Sequence, residues 1–416
     1  MPLSAVAYLA SFFLSLLGNA VAAVALPLIV LQTTGSALGA GVVAASTAIP
    51  AVLAGLFMGV VIDRINRRTS SVATDLVSAA AVAALPVVDA VSGLTIGWFV
   101  LLGVIGSLGD VPGMTAREAL LPAVVRHSGV AADRLVGLRE ALGAVALLVG
   151  PAMAGTLMTV LEGATVLWIT AATSLLAAAL TLLVPRSAGE IVPDDDPPHP
   201  TAGGTRSVRR ELRDGLRALT GSAFLVAVTV LGAAAVLVLT GFQALVLPVY
   251  FTFADRGHLL GFVLSALAIG VLVGGTVYAI VGSRLPRTGL LAAALGGTTL
   301  GFALLATLAA PWVVFLGAFT VGAASGLLNG LLAVLLIERI PETLRGRVLG
   351  AQNAAVTVAP PVGILVAAVV TEYVGVGAAA LLLAGIWAVA ALATVAARPL
   401  RTLGPVRDDG EVRVDA

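Results

Sequence analysis

The 416-residue chain has no cysteine, and all 23 of its basic residues are arginine. Without thiols, cysteine nucleophiles, disulfides and thiolate metal sites are excluded. Without lysine there is no Walker A loop, which needs that side chain on the nucleotide phosphates, so the chain is no ATP-driven pump of that kind. Only three histidines occur, His127, His199 and His258, far apart and in predicted loops, a poor basis for a metal site. Charged residues are 11% and aromatic ones 5%. A soluble domain carries about 25% charge, so an ordinary water-facing surface is out of reach. A net charge of +1 points to no nucleic-acid partner.

What fills the chain is apolar: 59% hydrophobic residues, with a mean hydropathy of +1.08. Repeated apolar runs of about 20 residues predict an all-α polytopic membrane protein. Twelve spans are expected, near 4–31, 37–62, 70–89, 97–118, 136–161, 164–184, 222–251, 259–282, 289–309, 312–337, 348–371 and 375–397. The first lacks a basic leader and runs on past Ala20, so it reads as a spanning helix and not as a cleaved signal.

One long polar segment, 185–221, divides the spans six and six. The expected organisation is an N-terminal six-helix bundle (1–184), a linker (185–221), a C-terminal bundle (222–397) and a tail (398–416). Within the linker, "RSVRRELRDGLRAL" carries Val208, Leu212, Leu216 and Leu219 at helical spacing among five arginines. That pattern fits a helix on anionic headgroups and, nearly as well, a solvated charged helix. With the N-terminus inside, 22 of the 23 arginines fall on the cytoplasmic side and only Arg256 outside, which orients both termini inward.

The halves echo one another. "ALPLIVLQTTGSALG" (25–39) corresponds to "VLPVYFTFADRGHLLG" (246–261), "GVVIDRINRR" (59–68) weakly to "AIVGSRLPR" (279–287), and "GPAMAG" (150–155) to "PPVG" (360–363). Parallel six-helix repeats with a site between them are the plan of a rocking transporter.

"GVVIDRINRR" is the tight turn after span 2. Asp63 closes span 2, where the helix dipole is unfavourable to an anion, and Arg67 and Arg68 precede span 3, where cations are equally misplaced. Such charges call for partners on other helices. The arginines alone have a plainer reading as positive-inside residues; Asp63 does not.

Gly59, Asp63, Arg64, Arg67 and Arg68 here resemble the loop signature of the major facilitator superfamily, with Asn66 standing where that family usually has Gly. The resemblance implies two pseudo-symmetric six-helix bundles and a latch from Asp63 to the N-terminus of span 11, near Arg347 to Gly350. "VGPAMAG" resembles the antiporter motif of drug exporters through Gly150, Pro151 and Gly155, with Ala154 replacing a Gly. Pro151 frees a backbone carbonyl and the small residues permit close packing, which also describes a generic membrane-helix kink. "GMTAREALLPAVV" (113–125) and "PETLRGRVLG" (341–350) are similar to loops of actinobacterial Tap-type multidrug exporters and of the macrolide- and siderophore-exporting branch. The resemblance covers most of residues 10–400.

Ionisable groups inside spans are costly and mark function. Asp110 lies in span 4, with Arg117 seven residues on along the same face and Glu118 beside it. Burial favours a neutral carboxyl and a nearby arginine the charged form, so two roles stand for Asp110: proton carrier, or half of a static ion pair. Asp75 and Glu140 sit nearer the cytoplasmic ends and read as partners of loop arginines, with proton coupling as the second role. Asn19 replaces an acid that related exporters often carry, which gives Asp110 more weight. Asn19, Gln243 and Asn329 fall in spans that line the central cavity of this superfamily; each also fits an interhelical hydrogen bond.

The expected function is proton-coupled export of amphipathic small molecules by alternating access, in a bacterial cell membrane. The expected partners are a small-molecule substrate, protons and the bilayer, with a monomeric chain, no cofactor and no enzymatic activity. Export of one endogenous metabolite such as a siderophore or lipid is the alternative. A membrane enzyme lacks a catalytic cluster here, and a non-transporting receptor stays open.

Overall fold

The computed structural model describes residues 1–47, 66–189, 221–282, 284–340 and 356–396, with isolated positions besides. Gly59, Asp63, Arg64, the stretch Arg347 to Gly350, nearly all of the amphipathic segment 206–219 and the tail lie outside the described residues.

The described chain is a succession of helices. The N-terminal half contributes α1 (Leu3–Thr34), α2 (Ala37–Thr47), α3 (Arg67–Ser92), α4 (Ile96–Ser128), α5 (Ala132–Val160) and α6 (Gly163–Thr181). The C-terminal half contributes α7 (Ala223–Phe253), α8 (His258–Val281), α9 (Arg287–Ala306), α10 (Pro311–Arg339), α11 (Ala359–Tyr373) and α12 (Val376–Ala396). Ten of them are long and apolar enough to cross a membrane. The other two, α2 and α11, are shorter over their described residues. Backbone groups in hydrocarbon must be satisfied within the segment, which helices alone achieve without a closed barrel.

Short turns end the helices. Gly35 takes the left-handed conformation at φ 65° and returns its N–H to the carbonyl of Leu31 at 2.9 Å, closing α1 just before α2. α4 runs ten residues past its expected end, so His127 lies in its last turn and His258 opens α8. Neither histidine is in a loop, because polar residues continue a helix once it has left the hydrocarbon.

In the N-terminal half α1 packs on α5 and α6, and α3 on α4 and α6. In the other half α10 packs on α8 and α9, while α7 meets α11 and α12. One apolar core runs through both halves, from Val24, Leu28 and Leu31 of α1 to Phe242, Val246 and Phe251 of α7 and Leu260 of α8. A second core of Ala5, Tyr8, Leu9, Leu120, Val124, Leu135 and Val184 draws on the N-terminal half only. The halves are therefore fused toward the α1–α2 turn, and the N-terminal half packs on itself at the opposite end.

Candidate functional site

The strongest electrostatic feature is an ion pair between α3 and α4. Arg117 donates from Nη2 to Oδ2 of Asp75, with both side chains buried. Ser15 of α1 donates to the other carboxylate oxygen at 3.3 Å, and the Tyr8 hydroxyl donates to the Arg117 carbonyl at 3.1 Å. Three helices are thus tied at one polar point. Of the two roles left open for Asp110, the ion pair with Arg117 is not formed, since Arg117 pairs with Asp75. Asp75 in turn binds a helix arginine rather than the loop arginine expected for it. Seven residues along a helix are two turns, a rise of about 10 Å, so Asp110 and Arg117 share a face without touching.

Asp110 is held separately. A Cβ at Gly109 would collide with the Thr74 carbonyl and the Ser78 hydroxyl, so only glycine lets α4 press this close to α3. That approach sets the Ser78 hydroxyl 2.6 Å from Asp110 as a donor. Asp110 then borders a cavity of about 220 Å³ with Asn19, Ser107, Thr170 and Ser174. Ala22, Ala23, Leu26, Val43 and Thr47 line this cavity and also a second one of about 290 Å³ that reaches Ala244 and Ile364 of the other half. Asn19 and Asp110 therefore open toward the junction of the two halves.

Asn329 borders a third cavity, about 380 Å³, inside the C-terminal half, with Ser325, Gln352, Phe302 and Trp387 among its walls. Phe302 stacks on Phe242 at 5.6 Å and packs beside Trp387, whose indole N–H donates to Thr299 at 3.0 Å. Gln243 borders none of these three cavities. It lies in a π-turn, Phe242–Val246, where the N–H of Leu247 reaches back to the Phe242 carbonyl. Pro248 explains the turn: it has no N–H to give to the carbonyl four residues back, and the ladder widens by one residue.

Glu140 is on the exposed face of α5 and pairs with the adjacent Arg139 at 2.8 Å. Arg139 also holds Glu118 at 3.0 Å and lies 4.7 Å from the ring centroid of Phe12. Glu140 does not border the cavity that Asp110 lines.

Arg67 and Arg68, at the start of α3, find partners on other helices. Arg67 donates to the Ala119 carbonyl at 3.2 Å and Arg68 to the Leu182 carbonyl at 2.6 Å, at the end of α6. Asn66 is the N-cap of α3: its side-chain oxygen accepts from the N–H groups of Arg68 and Thr69 at 3.1 and 3.3 Å. Glycine at that position has no side-chain oxygen to do this, so the departure from the usual loop signature secures the start of α3.

Gly150, Pro151 and Gly155 lie where α5 meets neighbours on both sides. A Cβ at Gly150 would strike Ala20 of α1. A Cβ at Gly155 would strike the His258 carbonyl, and one at Gly261 the Pro151 carbonyl. Ser265 of α8 adds a hydrogen bond to the Leu148 carbonyl at 2.6 Å. The two halves thus meet backbone to backbone along α5 and α8.

The model for the Major Facilitator Superfamily matches residues 8–256, more than half of the chain. The chain belongs to the Major Facilitator Superfamily. Among curated relatives of this superfamily, the multidrug efflux pump Tap of Mycobacterium tuberculosis is 33% identical over 376 residues, 88% of this chain and 87% of the relative. Macrolide efflux protein A of Streptococcus pyogenes is 23% identical over 367 residues, 87% and 88% of the two chains. A crystal structure of the nucleoside transporter NupG superposes with a TM-score of 0.73 at 18% identity, covering 97% of this chain and all of the other, which shows the superfamily fold. The protein is a multi-pass bacterial membrane transporter of this superfamily.

Three signals in the sequence mark these features. "GSLGDVPG" (106–113) spaces glycines for close helix packing beside Asp110. Ser15 and Ser78 sit at membrane depth as partners for the two carboxylates, and Pro248 marks the π-turn.

Proposed function

We propose that the protein exports amphipathic small molecules by proton-coupled alternating access, with Asp110 carrying the proton. The observation that carries this reading is the separation of the two acids at the heart of the N-terminal half. Asp75 is neutralised by Arg117, whereas Asp110 has a serine as its hydrogen-bond partner and borders a cavity leading to the half-to-half junction. A carboxyl placed so can take a proton from one side and release it to the other as the halves rock. The efflux activities in the names of the Tap and macrolide relatives support export and a drug-like substrate.

The rocking bodies are residues 1–184 and 222–397, with 185–221 as a cytoplasmic linker and both termini inside, as the arginine distribution argues. In that orientation the fused end faces outward, so the conformation is inward-open. In proteoliposomes, uptake of an amphipathic dye into inside-out vesicles should rise with an imposed proton gradient and stop when an ionophore collapses it. Uptake indifferent to the ionophore would exclude proton coupling.

Asp63 serves as the cytoplasmic latch that closes against α11. Asp63→Asn should slow transport several-fold and enrich inward-open molecules in labelling of cytoplasmic cysteines introduced into α2 and α11. Wild-type flux with unchanged labelling would reduce the stretch to a simple turn.

A further inference from the structure

At the fused end, α2 and α11 meet through a carboxylate, that of Glu372. Glu372 lies in the last turn of α11, where the helix's own exposed carbonyls repel an anion. It accepts from the backbone N–H of Leu38 at 3.0 Å and, through a long contact of 3.5 Å, from the Ser36 hydroxyl. The first turn of a helix has N–H groups without intrahelical partners. In α2 these are divided: the Ser36 hydroxyl takes the N–H of Gly39 at 2.9 Å, and Glu372 takes that of Leu38. Close behind, a Cβ at Gly41 would collide with that of the fully buried Ala368, so the two helices touch directly behind the carboxylate.

We propose that Glu372 is the gating residue of this end. It holds the N-terminus of α2 to the C-terminus of α11 while the halves are closed there, and it must let go for the opposite conformation to form. Its helix dipole disfavours the carboxylate once released, so the contact favours the fused arrangement. The latch proposed for Asp63 would use the same chemistry on the other side of the membrane.

This inference rests on the alternating-access reading but on neither its substrate nor its coupling ion. The cysteine-free chain allows Val91→Cys at the end of α3 and Thr307→Cys just after α9 to be spin-labelled without background. Pulsed electron paramagnetic resonance in lipid nanodiscs then reads the separation of the halves at this end. Glu372→Gln should raise the ratio of separated to closed molecules by about fivefold, the scale of one charge on a helix terminus. Glu372→Arg should raise it further, while Glu162→Gln, an exposed acid on the same side, should leave it unchanged. Two populations with the same ratio in wild type and both Glu372 variants would overturn the latch. One fixed distance in every variant and with every substrate added would overturn alternating access itself.

Discussion

Asp110→Asn is expected to abolish concentrative transport. Asparagine keeps the size of the side chain and its hydrogen bond with Ser78, so the N-terminal half should fold and melt as before. What it removes is the ability to carry a proton. Each proton moving down a 100 mV membrane potential supplies about 2.3 kcal/mol, enough for an approximately 50-fold substrate gradient. A variant without that drive should retain exchange of labelled for unlabelled substrate across proteoliposomes and lose accumulation. Counterflow and gradient-driven uptake, measured side by side, separate the outcomes. Undiminished accumulation in Asp110→Asn would remove Asp110 from the coupling path, and loss of both activities together would make it a substrate-binding or structural group instead.

Arg117→Met is expected to be the most destabilising of the single substitutions. The methionine fills much of the space but leaves the Asp75 carboxylate buried with one serine as partner. Removing one member of a buried pair typically costs about 3–5 kcal/mol, because the other charge is left without compensation. In a detergent-solubilised chain this should lower the unfolding midpoint by roughly 5 to 10 °C, with scan rate held fixed since such unfolding is rarely reversible. The double variant Asp75→Asn/Arg117→Met should regain most of that loss, because no unpaired charge remains. If the double variant melts as low as the single one, the pair is not the tie that joins α1, α3 and α4. Gradient-driven accumulation by a stable double variant would further show that Asp75 is dispensable for coupling.

Span positions were legible in the sequence because hydrocarbon thickness imposes a length and a composition on every crossing helix. α8 was expected at 259–282 and runs His258–Val281; α12 was expected at 375–397 and runs Val376–Ala396. The end of α4 was not legible, since hydropathy reports where the bilayer stops and not where the helix does. Which acid Arg117 chooses was equally hidden. Asp75 and Asp110 are both within reach of a sequence argument, but the choice depends on how α3 is rotated against α4, and the small residues at Gly109 and Gly113 set that rotation. The contact of Glu372 is hidden in the sequence for a related reason. A lone acid at a helix end looks like a surface residue until the facing helix presents an N–H group that no other acceptor takes.

The two ends of the molecule are built from different materials. The end near the α1–α2 turn is closed by a shared apolar core and by backbone-to-backbone contact between α5 and α8, while the proposed closure at the other end relies on Asp63 and the arginines around it. Hydrophobic association carries a large heat capacity and weakens on cooling, whereas ionic contact does not share that signature. Separating the fused end wets oily surface, so the balance between the two conformations should curve with temperature, with cold favouring the state opened on that side. The resting position of this transporter would therefore depend on how water hydrates that apolar surface.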